Sequence, residues 1–296
     1  MTLRPLRRDE TDAAHALWQR SAPHDAVSLD LFHEKVWGEP AGVVLAAETD
    51  SRLVGLGVGV LWTVPAAVRG SLRLLAVAPE ARRRGIGAAL VDALADALRQ
   101  RGATALRVAE AAPNYLTPGV DVRYAAAPEF LEALGFERLG ESVNLGVDLA
   151  SSDWHTGPEE TSLAEAGVEI RRGHRADRDA LGRLLDANWP GWRPEVGIAL
   201  RREPISLHVA VREGSVLGFS CHSTNNAELG WFGPMGTSPE ARGLGIGAIL
   251  LRRCLRDLRQ QGHERATIAW AAALPFYERS CGATVARRFW RYERPL

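Results

Sequence analysis

Apolar and polar positions alternate along this chain in a pattern that predicts mixed strands and helices. Two apolar segments joined by a polar turn occur at 45–55 (LAAETDSRLVG) and at 208–218 (HVAVREGSVLG), which is typical of β-hairpins. The segments 11–18 (TDAAHALW) and 178–185 (RDALGRLL) predict a first helix after a short strand. Strands interspersed with helices indicate an α/β fold.

The same order of elements occurs twice. Residues 82–88 read RRRGIGA and residues 242–248 read RGLGIGA, and Pro-Glu-Ala leads into each arginine. A chain of 296 residues has room for two domains of roughly 150 residues. We therefore expect an N-terminal domain at 1–150, a linker at 151–166 and a C-terminal domain at 167–296. The Ser, Gly, Pro and acidic residues of the linker predict an exposed segment.

A helix is predicted after each glycine turn, because apolar residues recur there every four positions. These positions are Ile86, Leu90, Leu94 and Leu98 in the first copy and Ile246, Leu250, Cys254 and Leu258 in the second. Cys254 stands where Leu94 stands, which indicates a core residue rather than a nucleophile. The three cysteines form no CxxC pair and the eight histidines are scattered. No metal site is expected, and a reducing compartment fits the cysteine usage.

The glycine turns predict anion binding, because the first amides of a helix lack internal partners and glycine lets an anion approach. A nucleotide P-loop is excluded, since it requires Gly-Lys-Ser/Thr where Ala stands here. A dinucleotide fingerprint fits Gly243-x-Gly245-x-x-Ala248, but the first copy has Leu90 at the third small position. The shared feature is Arg-x-x-Gly-x-Gly-Ala after a strand and Pro-Glu-Ala.

This arrangement resembles the GNAT acyl-CoA-dependent N-acetyltransferases, in two tandem copies that cover nearly the whole chain. The resemblance implies two GNAT-like domains, each a mixed, splayed β-sheet flanked by α-helices. It also implies that each turn binds the CoA pyrophosphate and that the preceding strand pairs with pantetheine. The implied acetyl-CoA-binding residues are Leu75, Ala76, Val77, Arg82, Arg83, Arg84, Gly85, Ile86, Gly87 and Ala88, then Met235, Gly236, Thr237, Arg242, Gly243, Leu244, Gly245, Ile246, Gly247 and Ala248.

The two copies differ in the family's other motif. Residues 275–283 read PFYERSCGA, close to the Phe-Tyr-Glu-Lys-x-Gly pattern, whereas 129–136 read EFLEALGF. The resemblance implies that Tyr277 is a general acid toward the leaving thiolate, a role that Leu131 cannot fill. We therefore expect the chemistry in the second copy, with Cys281 as a packing residue.

The proton acceptor for the amine is less clearly marked. Glu228 is the nearest acidic residue upstream of the expected thioester site and is the candidate base, with a solvated surface charge as the alternative. His222 and Asn225 could orient the substrate nearby. The cluster of Trp189, Trp192 and Arg193 either holds an anionic or sugar-like substrate or packs between the domains, and we favour packing.

The first copy carries an insertion at 110–130 (EAAPNYLTPGVDVRYAAAPEF). A polar, aromatic loop after a central strand is typical of substrate recognition, but it could equally plug an inactive site or buttress the domain interface. Tyr115 or Tyr124 could also replace the missing acid.

Composition narrows the function further. The formal net charge is zero and the pI is about 7.1, which gives no reason to expect nucleic acid or an anionic membrane as a partner. No apolar run suits a membrane span, and the start of the chain has no signal-peptide pattern, so we expect a cytoplasmic protein. A single lysine among many arginines suggests a high-GC bacterial genome.

The expected activity is direct transfer of acetyl from acetyl-CoA to a primary amine of a small molecule. The alternative is a non-catalytic acyl-CoA sensor or scaffold with two CoA sites. A monomer, with its internal pseudo-dimer, or a homodimer is expected.

Overall fold

The computed structural model describes residues 1–64 and 67–296 and contains mixed strands and helices. The strands are β1 (Thr2–Pro5), β2 (Val43–Thr49), β3 (Arg52–Val64), β4 (Ala67–Val77), β5 (Ala105–Val108), β6 (Val120–Asp121), β7 (Glu137–Asp148), β8 (Glu169–Arg172), β9 (Leu207–Arg212), β10 (Ser215–His222), β11 (Trp231–Thr237), β12 (Arg265–Ile268) and β13 (Thr284–Pro295). The helices are α1 (Thr11–Ser21), α2 (Leu29–Trp37), α3 (Ile86–Arg99), α4 (Ala127–Ala133), α5 (Gly157–Glu165), α6 (Arg178–Asn188), α7 (Arg193–Arg201), α8 (Ile246–Gln260) and α9 (Leu274–Cys281).

The chain divides into two compact units whose limits differ from the expected ones. Unit 1 consists of Met1–Ser142 together with Arg288–Leu296, and unit 2 consists of Val143–Arg287. The second half of β7 therefore belongs to unit 2, and most of β13 belongs to unit 1. The expected limits at 150 and 167 assign all of β7 to the first domain and all of β13 to the second, which differs from the structure. Strand pairing between distant segments leaves no local pattern in the sequence from which these limits could be predicted.

Unit 1 is a mixed sheet in the order β1-β2-β3-β4-β5-β13. Its antiparallel hairpins give way to one parallel pair, β4 with β5. Residues 55–60 read GLGVGV, so glycines face one side of β3 and branched residues face the other. Helix α3 packs on the glycine side, where a Cβ at Gly57 would lie 2.8 Å from Leu94. The missing side chain thus lets α3 approach the sheet closely.

Unit 2 repeats this plan in the order β7-β12-β11-β10-β9-β8, with a parallel pair between β11 and β12. The predicted hairpins are present as β2–β3 and β9–β10, and the predicted first helices are α1 and α6. All eight predicted apolar positions of α3 and α8 are buried, Cys254 among them. The core and the elements that carry it are therefore confirmed.

Most residues of the expected linker at 151–166 are exposed, but the segment folds as part of unit 2 and is not a separate connection. Residues 157–165 form α5, and Leu163 packs in one cluster with Val168, Ile170 and Ile249. Trp154 is buried and its indole donates to the Leu149 carbonyl over 3.0 Å. The composition of the segment is polar on average, but two buried apolar side chains and the ion pairs of Arg252 with Glu159 and of Arg253 with Glu160 hold it in unit 2.

An ion pair near the N-terminus makes acid stability testable. The Arg4 guanidinium forms two hydrogen bonds of 2.7 Å to the Glu10 carboxylate, which lowers the pKa of Glu10 to about 2 from 4.5. Because the folded-state pKa is depressed, this stabilisation is present above pH 4.5 and is lost as the pH falls towards 2.

We expect Glu10→Gln to lower the free energy of unfolding by about 1 kcal/mol at pH 7, a value that allows for partial solvent screening. Urea titrations should show this difference shrinking between pH 5 and pH 3. Asp9→Asn, which changes a largely exposed carboxylate, is the control. An effect of Glu10→Gln that stays constant with pH would contradict the assignment.

Candidate active site

The central parallel strands of each unit pair briefly and then part. In unit 2 the pairing between β11 and β12 ends at Phe232 with Ile268, and beyond the bulge Met235–Thr237 pairs only with β10. In unit 1 the pairing between β4 and β5 ends at Leu72 with Val108, and beyond the bulge Leu74–Val77 pairs only with β3. Each parted edge carries backbone groups available to an extended ligand.

The structure places the predicted strand residues on these parted edges. Leu75, Ala76 and Val77 lie beyond the last β5 partner, and Met235, Gly236 and Thr237 lie beyond the last β12 partner. Both units have a β-bulge where the strands part. The register shifts between Val58 and Gly59 in unit 1 and between Ser220 and His222 in unit 2. The irregularity in unit 2 falls within GWFGPMG (230–236), with the extra residue on β11.

The two glycine turns share one backbone conformation. Positive φ angles occur at Arg83 (62°) and Gly85 (76°) in the first turn and at Gly243 (85°) and Gly245 (79°) in the second. Gly85 and Gly245 are N-caps without a capping side chain, so the first amides of α3 and α8 are free to bind an anion.

The space around these turns fits a diphosphate. A Cβ added at Gly85, Gly243 or Gly245 would meet no atom within 4 Å. Residues 82–85 and 242–245 are exposed, while Ile86 and Ile246 anchor each helix in the core. The predicted residues Arg84, Ala88, Leu244 and Ala248 lie in the same turns, and the residues present fit the pyrophosphate of acetyl-CoA.

Arg82 has a structural role in the first turn. Its Nε donates to the Val77 carbonyl over 3.2 Å, and its Nη2 donates to the Ser21 carbonyl over 3.0 Å. The side chain thus ties the turn to the end of β4 and to the end of α1. Arg242 begins the second turn at the matching position and is exposed.

Tyr277 lies beside the point where β11 and β12 part. Its ring packs edge-on against Phe232, with 6.3 Å between centroids, and Phe232 forms the last pair with β12. Burial raises the pKa of the Tyr277 hydroxyl to about 12 from 10. The hydroxyl is therefore protonated at neutral pH and can donate a proton to a leaving group at this point.

The matching position in unit 1 carries no such donor. The Phe130 ring lies 3.1 Å from a Cβ placed at Gly87, as the Phe276 ring lies 3.4 Å from one at Gly247. These contacts align α4 with α9 and superimpose Leu131 on Tyr277. Leu131 is buried in the core of unit 1.

The insertion of unit 1 folds inward. Ala111 and Leu116 join the core cluster that contains Leu74 and Ala76 of the parted β4 edge. Tyr115 is buried as well, and the Tyr124 hydroxyl donates to Asp25 over 2.8 Å. The insertion thus occupies the side of β4 that faces α1 and α2.

Glu228 does not lie on the parted edge. It is exposed on a short 3-10 turn, Ala227–Leu229, two residues before Gly230. The Gly230 carbonyl accepts from the Thr267 amide, so this turn lies at the end of the sheet where β11 and β12 are still paired. Its position is that of a surface residue, although its role as the base remains a prediction.

His222 belongs to a buried ion cluster on the α8 side of the sheet. Its Nε2 lies 3.3 Å from the Asp257 carboxylate, which also bonds His208 over 2.7 Å and Arg172 over 2.8 Å. Burial opposes ionisation of Asp257, but the hydrogen bond with His208 and the proximity of His222 and Arg172 hold its pKa below the usual value. Asn225 is buried next to this cluster in sequence. We assign the cluster to the stability of unit 2.

The two tryptophans of the aromatic cluster pack on other residues of unit 2. Trp189 and Trp192 stack at 5.3 Å and both meet Phe219 edge-on. Arg193 pairs with Asp186 on the surface. Trp189 also lies over Gly236, where an added Cβ would be 2.5 Å from the indole. The connection between α6 and α7 therefore covers the parted half of β11.

Sequence reasoning missed Glu195. This residue of α7 is buried, and desolvation raises the pKa of its carboxyl to about 7 from 4.5. The sequence pattern could have indicated this residue, because Glu195 lies on the helix face that otherwise carries the apolar residues Val196, Ala199 and Leu200. A glutamate on an apolar face is uncommon unless something compensates for its burial.

Cys254 and Cys281 are buried, as predicted for core and packing residues. Burial raises the pKa of Cys254 above its usual value and that of Cys281 to about 11, so both thiols are protonated at neutral pH. Cys281 donates to the Tyr277 carbonyl over 3.1 Å. In the described ranges no three His, Cys, Asp or Glu side chains form a group suited to a metal ion. None of the described helices is long and apolar enough to span a bilayer.

The sequence profile of the Acetyltransferase (GNAT) family matches residues 3–118 and 171–283, one copy in each half of the chain. No curated protein sequence matches the chain.

Solved structures match over nearly the full chain. One is the GCN5-related glucosamine N-acetyltransferase region of a fungal multi-domain GH3 β-N-acetylglucosaminidase, with a TM-score of 0.87, 20% identity and 99% of this chain covered. This chain spans 38% of that fungal protein. A GCN5-related N-acetyltransferase from Sphaerobacter thermophilus matches with a TM-score of 0.71 at 16% identity, over 99% of this chain and 95% of that one.

A tandem GNAT protein from the clavulanic acid biosynthesis pathway matches with a TM-score of 0.68 at 19% identity, over 99% of this chain and 98% of that one. At such identities these likenesses establish the fold, a pair of tandem domains, and not the substrate.

Proposed function

Because the chain belongs to the Acetyltransferase (GNAT) family and carries two copies of its domain, we propose that unit 2 transfers acetyl from acetyl-CoA to an amine. The acceptor is the primary amine of a small molecule, and the transfer is direct. The observation that carries this proposal is the position of Tyr277 beside the parting of β11 and β12, in the same unit as an open glycine turn. A proton donor and an anion site thus lie at the two ends of one parted strand.

Acetyl-CoA, when bound, supplies a thioester whose carbonyl carbon reacts with the amine. The residues that would hold it are the second turn, 242–248, for the pyrophosphate, and the β11 edge, 235–237, for the pantetheine arm. Tyr277 holds a proton at its hydroxyl oxygen for the leaving thiol. Fixing both reactants in one cleft converts a bimolecular encounter into an oriented reaction.

Unit 1 is proposed to bind acetyl-CoA without catalysis. Its turn has the same φ pattern as the second turn, and its β4 edge is parted in the same way. The acid is replaced by Leu131, and the insertion occupies the side of β4 beside Leu74 and Ala76. The role of an acyl-CoA sensor, considered for the whole chain, is therefore proposed for unit 1 alone.

The acceptor can be sought among compounds with a primary amine. The region of the fungal neighbour is a glucosamine N-acetyltransferase, so glucosamine is our first proposed acceptor. Spermidine, ethanolamine and free lysine complete a set that differs in size and polarity, and we call these four compounds the amine panel.

Thiol release from acetyl-CoA tests the function directly. The assay follows free thiol with a chromogenic disulfide in the presence of each member of the amine panel, and mass spectrometry identifies the acetylated amine. Amine-dependent release with a matching product would support the proposal. Binding of acetyl-CoA with no release for any amine would favour the sensor role for both units instead.

A further inference from the structure

Glu195 is a buried carboxylate without a compensating group. Its side chain lies in the first turn of α7 and the residue is 8% exposed. No described residue, in 1–64 or 67–296, hydrogen-bonds or ion-pairs with it, and desolvation alone accounts for its raised pKa. A buried carboxylate that is left unpaired costs stability, so its presence calls for a functional reason.

Glu195 lies on the face of α7 that packs near the parting of the strands. Its neighbours on that face, Val196, Ala199 and Leu200, share one core cluster with Cys221 of β10. Burial, Cys254 and Glu195 also raise the pKa of the Cys221 thiol, which agrees with this position. Cys221 lies between the pairs Ser220 with Met235 and His222 with Phe232. It is therefore opposite the extra residue of the β11 bulge, where β11 leaves β12 and where Tyr277 packs from α9.

Glu195 lies on the α6 and α7 side of the sheet. Phe219 and Cys221 share one face of β10, and Trp189 and Trp192 pack on that face. The α8 side is different, since it holds Cys254 against Ser220 and the cluster around Asp257. Glu195 thus reaches the parted strand from the side opposite α8.

The matching helix of unit 1 provides an internal comparison. Helices α2 and α7 each have nine residues, and the third, fourth, seventh and eighth residues of each are buried. The buried set is Leu31, Phe32, Lys35 and Val36 in α2, and Glu195, Val196, Ala199 and Leu200 in α7. Leucine therefore satisfies the packing at the third position, and glutamate in unit 2 is not required by the fold.

The charged groups at this place differ between the two units. In unit 1 the buried Lys35 bonds Asn114 of the insertion over 2.6 Å and pairs with Glu34 over 2.7 Å, and the buried Arg73 of the β4 bulge pairs with Glu39 over 3.2 Å. In unit 2 the seventh helix position is Ala199, and Gly233 takes the place of Arg73. Unit 1 therefore supplies its own cations at this place, whereas the buried charge of unit 2 is the Glu195 carboxylate, which attracts a protonated amine.

We propose that Glu195 binds the ammonium group of the acceptor and accepts its proton, which makes it the catalytic base of unit 2. This inference rests on the proposed acetyl transfer in unit 2. It replaces Glu228, which is exposed on the paired side of the sheet.

The proton balance of the step is complete. One N–H bond of the ammonium breaks and an O–H bond forms on Glu195, which leaves a lone pair on nitrogen. The C–N bond then forms as the C–S bond of the thioester breaks. The leaving thiolate takes the proton of the Tyr277 hydroxyl. Nitrogen gives up a second proton on becoming an amide, and this proton restores the Tyr277 hydroxyl, directly or through solvent. The proton on Glu195 returns to solvent when the product leaves.

Few other groups titrate around this carboxylate. Helix α7 packs against β9, whose residues on this face are Leu207 and Val209, and against β10, which contributes Cys221. On the α6 side, Arg193 and Asp186 form an exposed ion pair. Burial alone therefore sets the Glu195 pKa near 7, where a base works best at neutral pH.

Two variants test the proposal, Glu195→Gln and Glu195→Leu. We expect each to lower kcat/KM for the most active amine by ~10²- to 10⁴-fold, and to leave acetyl-CoA affinity unchanged. The kcat/KM of the wild type should fall below pH 7, and this fall should be absent in Glu195→Gln. The pH dependence that comes from protonation of the amine substrate should remain in both. Glu203→Gln, a matched change of an exposed carboxylate close to α7, should leave both readouts unchanged.

Thermal unfolding separates folding from function. The folded-state pKa of Glu195 is raised, so the stability of the wild type falls as the pH rises from 4.5 to about 7. Glu195→Leu should therefore raise the Tm by a few degrees at pH 8 and by less at pH 5. Retention of kcat/KM within threefold by Glu195→Gln, or an equal Tm change at both pH values, would overturn the proposal.

Amine binding without acetyl-CoA distinguishes this proposal from the proposed function. Trp189 and Trp192 report on the site by fluorescence. One outcome is that panel amines bind the wild type but not Glu195→Gln, and no thiol is released. That outcome would support the amine site at Glu195 and would contradict the proposed acetyl transfer. If no panel amine binds or reacts, both proposals are overturned.

Discussion

Tyr277→Phe is expected to lower kcat by ~10²-fold or more while the Kd for acetyl-CoA stays within twofold. The change removes one hydroxyl and keeps the ring that packs edge-on against Phe232 and Phe276. With a pKa of about 12 the hydroxyl is protonated across the working pH range, so its loss removes a proton donor and not a charge. Stopped-assay kcat values and calorimetric titration of acetyl-CoA measure the two quantities.

The control for this variant is Tyr292→Phe. Tyr292 is a fully buried tyrosine in the core of unit 1, so its replacement changes the same atom in the unit without the acid. We expect kcat to be unchanged. Equal kcat values for Tyr277→Phe and the wild type would mean that the thiolate leaves unassisted, and Tyr277 would then be a packing residue.

Local patterns in the sequence predicted the repeated part of the fold well. Strand-turn-strand segments gave the hairpins β2–β3 and β9–β10, and the spacing of four gave the buried faces of α3 and α8. These features depend on residues that are close in the chain, where periodicity is informative. The glycine turns were also predictable, because positive φ at Gly85 and Gly245 requires glycine or tolerates few other residues.

Features that depend on residues far apart in the chain could not be predicted from the sequence. The pairing of Glu293 with Arg107 brings the end of the chain into the unit 1 sheet, and nothing near either residue indicates it. The polar composition of 151–166 gave no indication that Trp154 and Leu163 are buried in unit 2. Average polarity does not decide burial when two large apolar side chains are present.

The candidate base illustrates the same limit at the site. Glu228 was chosen because it precedes β11 in sequence, but the chain reaches the parted edge only after the paired segment at Trp231 and Phe232. Glu195 is 36 positions before β11 and reaches the parting from a helix that packs across the sheet. Only the fold shows that these two segments meet.

Gly247→Glu is expected to weaken acetyl-CoA binding to unit 2 by more than ~100-fold and to abolish turnover. Gly247 is the second residue of α8, within the first turn whose free amides face the expected pyrophosphate. An added carboxylate places negative charge against the negative charge of the ligand. The same carboxylate interacts favourably with the helix dipole in the absence of ligand, so the apo protein should remain folded.

Gly247→Gln separates charge from size, since it adds the same number of side-chain atoms without the charge. A Cβ at Gly247 would lie 3.4 Å from Phe276 and 3.5 Å from Met235, which is ordinary contact, so the glutamine variant should lose much less affinity than the glutamate variant. Equal losses would show that the site excludes bulk rather than charge, and the pyrophosphate assignment would be wrong.

Gly87→Glu makes the corresponding change in unit 1 and tests what the second copy of the turn contributes. The Phe130 ring, 3.1 Å from the added Cβ, must move by a few tenths of an ångström. We expect wild-type protein to bind two equivalents of acetyl-CoA in calorimetry and each glutamate variant to bind one, with turnover lost only in Gly247→Glu. If the wild type binds one equivalent of acetyl-CoA and only Gly247→Glu abolishes this binding, the turn of unit 1 has a structural role only. The shared φ pattern would then not be sufficient for acetyl-CoA binding.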